Sequence, residues 1–210
     1  MFGFITRQHS LRQLAAHLGV LVVIVMLSGA STAVAENEAE RLAKVKAAFT
    51  YNFVKFVEWP GDAFPEDASP VVILVIGTEQ MHRTLQRTVA NKRVHGRALE
   101  VARLPMPTLD DRDRERRRQA IDELVERIGA SHLVYFEPDE HEAIAEILAR
   151  SDIPRHVLTV GDGAAFVGTP TMLDLVMSDG RMTFYANRER IESSRIRISS
   201  KLLRLARQKK

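Results

Sequence analysis

Apolar residues recur at three- and four-residue steps between Glu38 and Trp59: Leu42, Val45, Phe49, Phe53, Phe56 and Val57. That period puts them on one helical face, with Glu40, Lys44 and Asn52 elsewhere, and Pro60-Gly61 marks a stop. Residues 71–76 (Val-Val-Ile-Leu-Val-Ile) form an unbroken apolar run ending at Gly77, the pattern of a strand covered on both faces. Thr78 to Ala90 reads as a helix and Ala98 to Leu104 as a strand. A mixed-sign charged stretch from Thr108 to Gln119 reads as a solvated loop. It leads into a helix carrying Ile121, Leu124, Val125 and Ile128 and ending at Gly129.

The strand 132–136 follows, then a helix over 139–150 with Ile144, Ile147 and Leu148 on one side. His156 to Val160 is a further strand, closed by Gly161-Asp162-Gly163. Met172 to Met177 and Met182 to Ala186 flank Ser178-Asp179-Gly180-Arg181, where Asp-Gly marks a hairpin turn. A last helix is expected over roughly 188–207, with Ile191, Ile198, Leu202 and Leu205 inward. Strands separated by helical segments predict a parallel sheet. The expected fold is therefore α/β: a three-layer domain with a mostly parallel central sheet, a C-terminal β-hairpin at its edge and helices on both faces.

The amino-terminal stretch changes where this domain is expected to work. Arg7 and Arg12 precede the apolar run Leu18–Leu27, and small residues end at Ala33-Val34-Ala35 before Glu36. These are the three parts of a secretory signal peptide, and the run is about half the ~20 residues that span a bilayer. Residues 1–35 are expected to be removed, leaving 36–210 as a single domain outside the cytoplasm; an uncleaved anchor is the alternative. The chain has no cysteine, so disulfides, thiol catalysis and thiolate metal sites are excluded. Of 30 Lys+Arg and 27 Asp+Glu, removing Arg7 and Arg12 leaves 28 against 27. That balance is no footprint for nucleic acid.

The search for chemistry gives little. No two of His82, His95, His132, His141 and His156 stand at a spacing that would pair them on a metal, so no metal site is expected. Asp139 with Glu142 reads as a capping box rather than a ligand set. Gly161-Asp162-Gly163 follows a strand, where α/β folds open pockets, but lacks the rest of a dinucleotide fingerprint. There is no G-x-S-x-G elbow. Nothing calls for a catalytic set or a cofactor. Tyr51 and Trp59 lie off the apolar face, and each either packs or anchors a partner.

Three segments together carry a resemblance. Ala47-Ala48-Phe49-Thr50-Tyr51-Asn52-Phe53-Val54-Lys55-Phe56-Val57-Glu58-Trp59-Pro60 looks like the opening helix signature of the YfiR-like periplasmic proteins. Val157-Leu158-Thr159-Val160-Gly161-Asp162, with Phe166 and Met172-Leu173, is similar to their middle signature. Ile198-Ser199-Ser200-Lys201-Leu202-Leu203-Arg204-Leu205-Ala206 is similar to their closing helix. The resemblance implies a periplasmic, non-enzymatic repressor that binds an inner-membrane diguanylate cyclase, so controlling cyclic-di-GMP and biofilm formation. It also implies a homodimer and sequestration by an outer-membrane lipoprotein.

The chain departs from that pattern in three places: it lacks cysteines, with Ser131 where one is common; it has Pro170-Thr171 before the hairpin; and it has Arg195 before the closing signature. The candidate partner or ligand residues are Trp59, Asp162, Arg195 and Arg197. A small-molecule sensor acting on another membrane receptor, with a pocket at the strand ends near Gly77 and Asp162, is the alternative function.

Overall fold

The computed structural model describes residues 37–105, 114–137, 141–150 and 153–208. The segment expected to be a signal peptide, residues 108–113 of the charged run and the expected Asp139 cap lie outside the described residues. The chain divides into two compact units, Met1–Leu42 and Ala43–Lys210. Of the first, residues 37–42 are described and are helical.

The second unit opens with helical residues 43–55 (α1) and continues through β1 (Val57–Glu58), β2 (Val71–Ile76), α2 (Glu79–Val89), β3 (Arg93–Val94) and β4 (Arg97–Leu104). Next come α3 (Arg114–Gly129), β5 (Leu133–Phe136), α4 (His141–Arg150) and β6 (Leu158–Asp162). The chain closes with β7 (Leu173–Ser178), β8 (Arg181–Ala186), α5 (Arg188–Glu192), β9 (Arg197–Ile198), α6 (Ser200–Leu203) and β10 (Arg207–Gln208).

Eight strands form one sheet in the order β10-β8-β7-β6-β5-β2-β4-β3. The five central strands from β7 to β4 are parallel, β8 returns antiparallel to β7, and β10 runs parallel to β8 at the edge. The alternation of side chains separates two cores. Ile73, Val75, Leu133, Tyr135, Leu158 and Val160 face one side, with α1, α2 and α6 supplying Phe53, Leu85 and Leu202. Leu74, Ile76, Val134 and Phe136 face the other, against Leu124 and Ile128 of α3 and Ile144, Ile147 and Leu148 of α4. This is the three-layer α/β arrangement that the run at 71–76 implied, because a strand apolar at every position needs cover on both faces. Asp179 (φ 53°) and Gly180 (φ 72°) make the expected tight turn of the β7–β8 hairpin.

Three expectations fail for physical reasons. The buried stripe of α1 is Ala43, Ala47, Thr50, Phe53 and Val54, while Val45 is exposed. The helix also ends before Phe56, so that Val57 and Glu58 can pair as a strand. The long final helix does not exist. Ser193 and Ser194 donate their hydroxyls back to the carbonyls of Arg190 (3.1 Å) and Ile191 (2.6 Å), ending α5 after five residues. Beyond them Arg195-Ile196-Arg197-Ile198 alternates with period two and feeds β9, and Ser199 then caps α6 by accepting from the Lys201 N–H. Leu205, expected inside, is 69% exposed. The β3–β4 hairpin was not expected; its turn is His95 (φ 51°) and Gly96 (φ 81°).

Gly161 in β6 is required by close approach. A Cβ there would collide with Cβ and Cγ of Phe166, which packs over it and cannot swing clear as a flexible chain end would. Gly161→Ala is expected to destabilise the protein by about 1–3 kcal/mol, read as a lower urea midpoint with an unchanged slope. An unaltered midpoint would show that Phe166 gives way freely.

Candidate functional site

Asp162 ends β6 on the α1 side of the sheet and is only 3% exposed. Its Oδ2 accepts from Lys46 Nζ of α1 at 2.7 Å and from the Tyr135 hydroxyl of β5 at 2.7 Å. A carboxylate removed from water must be paired and hydrogen-bonded to be tolerated, and both conditions are met here. Burial, and then the adjacent Asp162 charge, push the Tyr135 phenol well above its ordinary range, so it stays protonated and donates. Asp162 therefore faces inward as a joint between α1 and the sheet centre.

At the strand ends a second carboxylate, Glu137, meets the start of α2. In open α/β sheets ligands enter where strand order reverses, here between β2 and β5. At that point Gly77 lets the Glu137 side chain pack against the backbone. The Glu137 carboxylate accepts the Thr78 N–H at the start of α2. An internal anion thus occupies the position that a phosphate would take at this helix N-terminus. Gly77 and Asp162 thus each meet the chain's own side chains, Glu137 at the first and Lys46 with Tyr135 at the second.

The other three candidates gather around residues 58–62. Trp59 is half-buried, donates Nε1–H to the His132 carbonyl at 3.1 Å and meets the His132 ring edge-on at 5.8 Å. Arg195 grips Asp62 with two bonds of 2.7 and 2.9 Å, which hold the Asp62 carboxyl below its usual range. Arg197 stands opposite Glu58 in the β1–β9 ladder and is exposed. It lines a shallow recess of about 340 Å³ together with Lys55, Phe56, Glu58, His95 and Lys201. Tyr51, the other off-face aromatic, lies under the Lys92 ammonium at 4.3 Å.

His132 was missed as a structural centre. Its Nδ1 accepts the Val72 N–H at 3.1 Å, and its ring stacks on Phe64 at 4.4 Å. Burial, reinforced by His156 and Arg97, lowers its pKa to about 4 against a weaker opposing pull from the Ala63 backbone. Lys46 was missed too, although its place beside Ala43, Ala47 and Thr50 on the inward face of α1 was the available signal. Among the described residues no group of three or more His, Asp or Glu side chains could hold a metal.

The three stretches of sequence singled out at the start thus meet in space. Residues 47–60 pair through Val57↔Ile198 with the closing segment, Ser199 donates its N–H to the Phe56 carbonyl at 2.9 Å, and Lys46 reaches Asp162. The protein-family model described as YfiR/HmsC-like matches residues 43–207. The chain belongs to the YfiR/HmsC-like family. This is a regulatory family of periplasmic proteins rather than a catalytic one. No curated protein matches the chain. Among the described residues of this YfiR/HmsC-like chain, no helix is long and apolar enough to cross a membrane.

Two outcomes test this electrostatic arrangement. Lys46→Met strands the buried Asp162 charge and is expected to cost about 3 kcal/mol in urea unfolding, while Tyr135→Phe costs less because it removes only a neutral donor. The second concerns pH. The folded-state pKa of His132 lies below the ordinary 6.5, so as pH falls the unfolded chain takes up the proton first. Stability is therefore expected to decline between about pH 6.5 and pH 4, by about 3 kcal/mol in all. His132→Gln should flatten the dependence of the urea midpoint on pH across that window.

Proposed function

We propose that this protein is a non-enzymatic periplasmic regulator that binds the periplasmic domain of an inner-membrane diguanylate cyclase and represses it. Family membership over residues 43–207 is the observation that carries this reading. In this reading residues 1–35 are the signal peptide removed on export, the working form is a homodimer, and an outer-membrane lipoprotein is a further partner. Two features of the site agree with a protein that works through its surface. At the strand ends Glu137 accepts the Thr78 N–H, and Asp162 is committed to Lys46 and Tyr135.

The partner face we assign is the recess along β1 and β9. Lys55, Arg197 and Lys201 supply three cations there against Glu58 alone among the carboxylates, around the apolar Phe56 and Ile198. This balance fits an acidic patch with an apolar centre on the cyclase. Trp59 and the Arg195–Asp62 pair brace the segment behind it rather than contacting the partner first.

Deleting the gene is expected to raise cellular cyclic-di-GMP, and the wild-type gene should restore it. The double variant Arg197→Glu, Lys201→Glu changes only exposed side chains, so it should fold, reach the periplasm and fail to restore repression. Cyclic-di-GMP unchanged by the deletion across growth conditions would refute the regulator. Full rescue by the double variant would refute only this face.

A further inference from the structure

A second recess lies near the starts of β6 and β7. It has a volume of about 290 Å³. Its apolar walls include Leu148, Ile153, Val157 and Met172, and its polar side holds Arg155 and Arg190. We propose that this recess binds a small organic anion, a carboxylate on a short apolar body, through Arg190 and Arg155. The proposal is independent of which partner the protein represses.

Arg190 is held in place by the fold. Its Nε–H donates to the Pro170 carbonyl at 3.0 Å and its Nη2 to the Leu148 carbonyl at 3.1 Å. Leu148 lies in the last turn of α4, so the cation also sits at the negative end of that helix. These two bonds use two of the five guanidinium N–H groups. The others have no partner among the described residues, and neither Arg190 nor Arg155 has a carboxylate partner among them. A guanidinium fixed by carbonyls and left with free donors on a cavity wall is pre-organised for a planar anionic head.

The rest of the lining narrows the ligand. Ser193 and Ser194 already give their hydroxyl protons to backbone carbonyls, so recognition of the anion falls to the two arginines. No acidic side chain lines the recess among the described residues, which disfavours a cationic ligand. The apolar walls give no partner to further polar groups, which disfavours a bare inorganic ion. The volume is at the lower limit of the roughly 300–1,000 Å³ usual for ligand pockets, and so suits a compact molecule.

The site also has a path to the partner face. Arg195 donates its N–H to the Arg155 carbonyl at 2.8 Å, and Arg195 grips Asp62 beside β1. Occupancy of the recess would therefore bear directly on the segment that supports Arg197.

Hexanoate is the probe, with hexanamide, acetate and inorganic phosphate as controls, titrated calorimetrically into the purified protein. Saturable binding of hexanoate is expected, at least tenfold tighter than any control. Arg155→Gln, an exposed change that leaves the core untouched, is expected to weaken hexanoate about tenfold, the loss of one charge-assisted hydrogen bond. Arg190→Gln should abolish binding, with its folding checked separately because it also releases two carbonyls. The proposal is overturned by no saturable hexanoate binding up to about 10 mM, a range set by the ligand's few heavy atoms. It is equally overturned if hexanamide or phosphate matches hexanoate, or if Arg155→Gln binds it as tightly as the wild type.

Discussion

A single buried carboxylate ties this fold together. Asp162 sits at the end of a central strand, removed from water, and Lys46 and Tyr135 supply the hydrogen bonds that its burial requires. Lys46 belongs to the first helix of the domain, so satisfying Asp162 fixes where that helix crosses the sheet. With the helix placed, its end delivers Val57 and Glu58 to Ile198 and Arg197 as a two-stranded ladder. Opening, middle and closing segments, far apart in sequence, are thereby locked into one unit.

The partner face proposed above lies away from the strand ends. Parallel α/β sheets offer a ligand crevice where strand order reverses, and here Glu137 takes the helix-terminal N–H that a bound anion would use. In our proposals recognition falls to two recesses, a cationic one around β1 and β9 and an arginine-lined one beside α5. Arg195 links the two, donating its backbone N–H to the Arg155 carbonyl and its guanidinium to Asp62, and this is the path by which the proposed ligand would reach the proposed partner face.

The layered sheet was legible because its central strands, such as 71–76 and 133–136, are written as continuous apolar runs. The hairpin was legible through Asp179-Gly180, whose backbone demands are local. The carboxyl-terminal region was not. Ile191, Ile198, Leu202 and Leu205 fit a helical period, yet Arg195-Ile196-Arg197-Ile198 also fits a strand, and the available partner β1 decided between them. Among the candidate site residues, Asp162 was found by its position after a strand, but its role could not be read without knowing that Lys46 would face it. Arg195 was singled out as a candidate partner or ligand residue, and Asp62, 133 positions away, takes its guanidinium.

By itself, then, the sequence determined the elements whose signal is local: apolar runs, turn residues and the period of helix faces, and with them the α/β class and the family likeness. Tertiary structure alone decided which polar groups are spent inside and which remain for partners. That decision depends on pairs such as Lys46 with Asp162 and Glu137 with Thr78, whose members are distant along the chain. Desolvation makes each pairing obligatory, and only the packed fold says who stands next to whom.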